Sequence, residues 1–163
     1  MRRKLFFHPK MQPGQSLVEL GLTLMVMLLL LSGAVDFGMG FFSYVALRDA
    51  AQEGALYGSI AAVIDSNKNG IYDPGELLNS AAIETRIRQS SQSPVKLQDL
   101  PLDAIAVTVT PPGSLCQGSR LTVTITYDYP ISMALITTIT GPTIRIHASS
   151  TSVILRPACP PGP

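Results

Sequence analysis

The chain has few of the residues that most small functional sites need. Its 163 residues include no tryptophan, two cysteines and two histidines, and only 14% of them are charged. Two cysteines are too few for a disulfide-rich mini-protein or for a zinc site made of four cysteines. The formal net charge of +1 lacks the basic excess that is typical of a general nucleic-acid binder. We therefore expect no nucleic-acid partner.

Motifs for catalysis and for nucleotide binding are also missing. The sequence has no Gly-rich phosphate loop, no Cys-x-x-Cys and no His-Glu-x-x-His. His8 lies close to the N-terminus and His147 lies in a strand-like run. A single histidine on a strand is more often a solvated or core residue than a catalyst. We therefore expect the protein not to be an enzyme and to have no small-molecule substrate.

Hydrophobic residues, in contrast, make up 46% of the chain, and the mean hydropathy is +0.29. The excess lies near the N-terminus, where residues 20–35 carry no charge. About 20 helical residues cross a bilayer core at about 1.5 Å each, so residues 20–41 can span a membrane if Asp36 is tolerated there. Four basic residues precede this run, and the positive-inside rule then predicts a cytoplasmic N-terminus and an extracytoplasmic remainder.

A short motif, GQSLVEL over residues 14–20, stands directly before the apolar run. A Gly, four uncharged residues and a Glu, placed between a basic leader and an apolar helix, resemble a type IV prepilin signal. That resemblance implies a membrane-embedded peptidase that cuts between Gly14 and Gln15, so that Glu19 becomes the fifth residue of the mature chain. A carboxylate at the edge of a membrane helix is usually paired, and the new α-amino group of Gln15 is an available partner. The alternative is that Glu19 lies at the headgroup level and needs no partner.

Two other N-terminal processing routes stay open. Residues 32–34 (Ser-Gly-Ala) have the small side chains that signal peptidase prefers, after a basic region and an apolar region, so an ordinary secretory signal would leave Val35 as the first residue. A plain signal anchor would keep Met1. The identity of the mature N-terminal residue distinguishes the three routes.

Two more motifs follow the first in order, VDFG at residues 35–38 and RDAAQEGA at residues 48–55. Together with GQSLVE they resemble the TadE-like family, pseudopilin-like components of the tight-adherence pilus assembly system. The chain departs from that family by carrying Gln52 and Leu56 where arginines are usual. The resemblance covers residues 14–57 well. It implies a pseudopilin or minor pilin of a type IVc-like, cell-adhesive pilus, anchored in the bacterial inner membrane. Its partners would be the prepilin peptidase and other pilin or pseudopilin subunits.

The helix is expected to continue beyond the membrane, because residues 43–64 are rich in Ala and Leu and contain no Pro. We predict one helix from Leu17 to about Ile60, of about 65 Å at 1.5 Å per residue. Its apolar face is predicted from residues that return at near-helical spacing. These residues are Val45, Ala46, Ala50, Leu56 and Ile60.

Pairs of small residues four apart, Ala34/Gly38 and Gly54/Gly58, let helices approach closely. Such pairs can pack against other pilin helices or against this protein's own domain. For Gly54/Gly58, outside the membrane, we favour the protein's own domain. Asp36 would lie at the interface or face a partner helix.

Residues 65–76, DSNKNGIYDPGE, match the register of an EF-hand loop. Calcium prefers six to eight oxygen ligands, and alternate residues of a tight loop point inward. Gly70 would supply the positive φ at the turn, and a helix is predicted over residues 75–91. The alternative is a polar turn that joins two helices. The predicted ligands of a structural calcium site are Asp65, Asn67, Asn69, the backbone carbonyl of Ile71, Asp73 and Glu76.

The last part of the chain reads as β-structure. Runs with alternating β-branched residues occur at 104–110, 120–127 and 143–149, which predicts a sheet packed on the helix. Its buried face is predicted to carry Leu121, Val123, Ile125 and Tyr127. The apolar segment 130–139 between two of these runs would cap the core, or else face a membrane or a partner.

Cys116 and Cys159 both lie in the part predicted to be extracytoplasmic, where an oxidising compartment would let them pair. The sequence alone does not show whether the two sulfurs meet.

The predicted fold is therefore α+β: a long N-terminal transmembrane and stalk helix, an EF-hand-like helix-loop-helix and a small antiparallel sheet packed on the helix. The predicted segments are a leader (1–14), the helix (15–64), the calcium loop with a second helix (65–93) and a β-rich extracytoplasmic domain with a Pro-rich tail (94–163). The alternative function is a secreted or anchored calcium-binding surface module with no pilus role.

Overall fold

The computed structural model describes residues 13–90 and 94–160, so most of the predicted leader lies outside the described residues. Within these residues, three helices and three strands follow one another, with two short 3-10 turns before the first strand. The elements are α1 (Pro13–Ile60), α2 (Ser80–Gln89), β1 (Ile105–Thr110), β2 (Arg120–Pro130), α3 (Ala134–Thr140) and β3 (Thr143–Val153). The predicted order of a long helix followed by a small antiparallel sheet is confirmed.

Helix α1 contains 48 residues, which corresponds to about 72 Å at 1.5 Å per residue. It begins at Pro13, a residue whose fixed φ suits the first helical turn. Its N-terminal half is long and apolar enough to cross a membrane, and the most apolar window, with a mean hydropathy of 2.2, is not buried against the rest of the protein. The helix therefore has a bare N-terminal half and a covered C-terminal half.

The sheet is antiparallel in the order β1-β2-β3, with Ile125 paired to Ile105 on one side and to Ala148 on the other. Alternation along β2 places Leu121, Val123 and Ile125 in the core, all fully buried. This confirms the predicted buried face, although Tyr127 at its end is only half-buried.

The core lies where β2, β3 and α2 pack on the C-terminal half of α1. The predicted apolar face of α1 is only partly right. Ala46 and Ala50 are buried, but Val45, Leu56 and Ile60 are exposed, the last two to 61% each. The reason is close approach: the sheet and α2 lie over a face of α1 made mostly of small residues together with the fully buried Leu47, whereas Leu56 and Ile60 point away from them.

Gly54 and Gly58 mark the closest contacts of α1 with the domain. A Cβ added at Gly54 would lie 2.6 Å from two carbon atoms of Ile87 in α2, and one at Gly58 would lie 3.0 Å from Ile83 and Leu121. This small-residue pair therefore packs against the protein's own domain, as favoured from the sequence. At Gly38, in contrast, an added Cβ would meet no atom within 4 Å.

Helix α2 begins at Ser80, five residues later than predicted, because the residues before it are extended. Val63 and Leu78 form an antiparallel bridge, and the N–H of Ile64 donates to the carbonyl of Leu77 at 3.1 Å. Loop 65–76 is thus not flanked directly by two helices, which differs from the predicted helix-loop-helix. Short paired segments close the base of loop 65–76 and separate it from both helices.

Candidate functional site

The three residues predicted to direct processing lie in the first two turns of α1. Gly14, Gln15 and Glu19 are all exposed. Residues four apart on a helix share one face, so Gln15 and Glu19 lie on the same side of α1. The backbone carbonyl of Glu19 accepts a hydrogen bond from Thr23 Oγ1 at 2.8 Å, and the Glu19 side chain lies at the surface.

Asp36, the charge within the apolar part of α1, has partners in the protein's own domain. Its Oδ2 accepts a hydrogen bond from the backbone N–H of Met133 at 2.8 Å, and its backbone carbonyl accepts one from Tyr129 Oη at 3.3 Å. Burial and then the charge of Asp36 raise the pKa of Tyr129. The contact joins residues 97 positions apart in the chain, so sequence reasoning had no local signal for it.

The first half of loop 65–76 is folded by hydrogen bonds from its backbone to its own side chains. Gly70 has φ of +74°, as predicted, and its N–H donates to Asp65 Oδ2 at 2.9 Å. Asn67 Oδ1 accepts from the N–H of Asn69 at 3.0 Å, and Asn69 Oδ1 accepts from the N–H of Ile71 at 2.7 Å. The side-chain oxygens at the first, third and fifth loop positions therefore face the loop backbone.

The second half of the loop supplies two more carboxylates. Asp73 Oδ2 accepts hydrogen bonds from the amide groups of Asn67 (2.6 Å) and Asn69 (3.0 Å). The two oxygens of Glu76 accept from the backbone N–H groups of Asp73 (3.1 Å) and Ser66 (3.3 Å). Glu76 thereby joins the two ends of the loop.

One oxygen of the loop has no partner: Asp65 Oδ1 is buried and accepts no hydrogen bond. Burying a carboxylate oxygen without a hydrogen-bond donor costs free energy, and a cation bound to this atom would offset that cost. Among residues 13–90 and 94–160, however, no three His, Cys, Asp or Glu side chains lie close enough together to hold a metal ion. The structure therefore brings the predicted ligands into one loop without gathering its carboxylates around a common point.

The C-terminal tail ties this loop to the disulfide. Cys116 and Cys159 are bonded to each other, so the possible pairing seen in the sequence is confirmed. One residue before Cys159, the carbonyl of Ala158 accepts from the N–H of Tyr72 at 2.9 Å, and its N–H donates to the carbonyl of Gly70 at 3.0 Å. The N–H of the bridged Ile71 does not bond to the tail and donates instead to Asn69 Oδ1 within the loop. Sequence reasoning missed this contact entirely.

These features define a class: the described part of the chain has one helix able to cross a membrane, and a disulfide-bonded α+β domain is docked along that helix. A family model described as TadE-like protein matches residues 14–56. The chain is similar to that family over this segment, which confirms the resemblance predicted from the three motifs. The match lies wholly within α1 and does not extend over the sheet. No curated protein and no solved structure matches the chain.

Proposed function

We propose that this chain is a pseudopilin or minor pilin that takes part in assembling a tight-adherence pilus. The proposal rests on the finding that two features occur on the same helix. The TadE-like match covers residues 14–56, and the N-terminal half of that helix is apolar and not covered by the domain. A membrane anchor that must also pack against other subunits needs such a surface. The role is structural, and no enzymatic step is assigned to it.

The orientation we propose has residues 1–14 in the cytoplasm and the α+β domain outside the inner membrane. The basic residues before the apolar run favour it. The disulfide between Cys116 and Cys159 supports it independently, because such bonds persist in oxidising compartments and are rare in the cytosol.

We further propose that prepilin peptidase cuts between Gly14 and Gln15. The exposed Glu19 carboxylate, on the same face of α1 as Gln15, is then free to pair with the new α-amino group of its own or a neighbouring chain. Lateral contacts with neighbouring helices would use the face of Ala34 and Gly38, where no part of the protein's own domain lies against Gly38.

N-terminal sequencing of the protein recovered from cells, with and without the peptidase, tests the processing step. Gln15 as the first residue, obtained only when the peptidase is present, is the expected result. Gly14→Leu should abolish the cut, whereas Gly21→Leu, about two helical turns further along α1, should not. A mature chain that begins at Val35 or at Met1 contradicts the pilin route and favours the alternative surface module. Detection of the chain in purified pili then distinguishes a filament subunit from an assembly factor.

Loop 65–76 is proposed to bind one structural calcium ion. The unpartnered Asp65 Oδ1 supports this, together with the positive φ at Gly70 and the oxygen side chains that already face the loop backbone. Binding requires Asp73 Oδ2 to exchange the hydrogen bonds that it accepts from the amide groups of Asn67 and Asn69 for a contact with the ion, which the Oδ1 atoms of both asparagines would also contact. The affinity would be in the range of extracellular modules, about 10⁻⁴–10⁻³ M.

Calorimetric titration of the chelator-treated full chain with calcium tests this site. The wild type should release or absorb heat that saturates in the millimolar range, and Asp65→Ala and Glu76→Ala should abolish it. Asp99→Ala removes an exposed carboxylate outside the loop and should leave the heat unchanged. The absence of a saturable heat in the wild type refutes the calcium site without affecting the pilin proposal.

A further inference from the structure

The segment between β2 and β3 carries no charge over thirteen residues, from Pro130 to Pro142. It contains α3 and connects the ends of two strands at one end of the domain. None of its side chains that the structure describes belongs to the hydrophobic core cluster. Ile139 is 82% exposed and Ile144, just after the segment, is 46% exposed. The segment is therefore an apolar tip that the protein's own core does not cover.

This tip is fixed to α1 at a defined level. The backbone N–H of Met133 donates to Asp36, and the Met133 sulfur lies 3.9 Å from the position that a Cβ at Gly33 would occupy. A hydrocarbon core of about 30 Å corresponds to about 20 helical residues. Measured from Leu20, the first residue after Glu19, such a core ends near residue 40. Asp36 lies about 24 Å along the helix from Leu20, inside that boundary. A segment bonded to Asp36 is consequently held at membrane depth.

A groove runs between this tip and α1. It has a volume of about 370 Å³, and apart from Asp36 its lining is almost entirely apolar. Phe37 and Phe41 form its α1 wall, and Ile131, Ile136 and Ile144 form the opposite wall. Phe37 is 78% exposed, so the groove is continuous with the bare apolar surface of the membrane-spanning half of α1.

We propose that segment 130–142 lies in the headgroup–acyl boundary of the bilayer leaflet that faces the domain, and that the groove holds a phospholipid acyl chain. The inference goes beyond a pilin role. It depends on α1 crossing the membrane, but not on the cut after Gly14 or on entry into a filament.

Three observations favour lipid as the partner. The groove lies within the hydrocarbon thickness set by α1 itself, where lipid is the surrounding solvent. The tip has no charged side chain that would resist transfer from water. The carboxylate that does lie there accepts a hydrogen bond from Met133, which lowers the cost of holding it at that depth. An amphipathic segment at the end of a domain binds an interface in proportion to the apolar area that it buries.

Fluorophores attached to single introduced cysteines in the full chain test the placement, with the native disulfide kept intact. Ile139→Cys places the label on the tip. Leu77→Cys, 70% exposed in the native chain, places it at the opposite end of the domain. Leu28→Cys places it in the middle of the apolar run. Each labelled protein is inserted into nanodiscs of phosphatidylcholine and phosphatidylglycerol. Quenching is then measured with aqueous iodide and with lipids that carry a nitroxide either just below the headgroup or deep in the acyl chain.

We expect the shallow nitroxide to quench the label at residue 139, iodide to quench the label at 77, and the deep nitroxide to quench the label at 28. Iodide quenching at 139 equal to that at 77, with residue 28 still in lipid, overturns the inference and leaves the anchor intact. Protection of residue 139 from both quenchers overturns it in favour of a protein partner such as a second copy. Failure of the deep nitroxide to quench residue 28 overturns the anchor and this inference together.

Native mass spectrometry of the full chain, after delipidating washes, tests the groove. Gly40 lines it, and an added Cβ there would point at Tyr129 at 3.7 Å, so Gly40→Leu fills part of the space. Gly38→Leu makes the same change where nothing lies within 4 Å. The wild type and Gly38→Leu should retain phospholipid, and Gly40→Leu should lose it. Equal retention by all three proteins refutes the groove as a lipid site.

Discussion

The close contact between Gly54 and Ile87 makes it possible to test the docking of the domain on α1 by adding a single methyl group at residue 54. An alanine at residue 54 would place its Cβ 2.6 Å from both Cγ1 and Cδ1 of Ile87. Carbon atoms do not approach so closely, so either the Ile87 side chain or one of the two helices must shift. Ile87 has no exposed surface and packs within the core, so it has little room to move aside.

Two effects of Gly54→Ala oppose each other. Overpacking a core by a methyl group costs roughly 1–3 kcal/mol. Alanine in place of glycine within a helix contributes about 1 kcal/mol in the other direction. The expected net loss is therefore about 1 kcal/mol. For a domain of about 100 residues, a loss of that size lowers the Tm by about 4 °C or more.

The assay is thermal unfolding of the full chain in mild detergent, followed by the near-ultraviolet circular dichroism of its five tyrosines, since the chain has no tryptophan. Gly38→Ala, where the added methyl group meets nothing, should not lower the Tm. In an Ile87→Ala background the crowding is gone, so Gly54→Ala should raise the Tm. If Gly54→Ala raises the Tm equally with Ile87 present and absent, α2 does not lie against Gly54 and the described packing is wrong.

Three further outcomes are expected. Replacing Cys116 and Cys159 by Ser opens a loop of about 43 residues and should cost about 4 kcal/mol, measured as a lower Tm that reductant does not change further. Asp36→Leu removes the acceptor of a backbone N–H, which should cost about 1–3 kcal/mol and speed amide exchange in segment 130–142, whereas Asp36→Asn should preserve slow exchange. The hydrogen bond from Arg145 holds the pKa of Asp128 below its ordinary value. The ionised carboxylate therefore stabilises the folded state above the unfolded-state pKa, and this stabilisation is lost as the pH falls through the folded-state pKa. Asp128→Asn should flatten the acid limb of a Tm-against-pH curve, and an unchanged limb would contradict this.

Patterns within short stretches of sequence were sufficient to predict the main secondary-structure elements. The uninterrupted apolar run predicted α1, and alternation of Thr with Leu, Val and Ile predicted β2 together with the face it buries. For the covered face of α1, helical periodicity was right for Ala46 and Ala50 but wrong for the larger residues of the set, because large apolar side chains usually mark a buried face. Here the sheet and α2 lie over a face of α1 that is built mainly from Ala, Gly and Ser together with Leu47, and Leu56 and Ile60 are left outside.

The contacts that build the candidate sites were mostly beyond sequence reasoning, because they join distant parts of the chain. The register of loop 65–76 correctly indicated the turn at Gly70, since the φ of one residue depends on its near neighbours. The bridge from Ile71 to Ala158 and the hydrogen bond from Met133 to Asp36 depend on how the whole domain folds. The extended segments that delay α2 to Ser80 likewise exist because residues 62–64 and 77–79 pair with each other.

The bridge between Ile71 and Ala158 also determines where the chain leaves the domain. The contact lies beyond the C-terminal end of α1, and Ile60 is about 36 Å along the helix from Asp36. The last described residues therefore emerge at the end of the domain farthest from the apolar half of α1. An epitope tag or fluorescent protein fused downstream of Pro160 would then be attached at the end of the domain opposite segment 130–142, and it would leave the helix surface free for whatever packs against it.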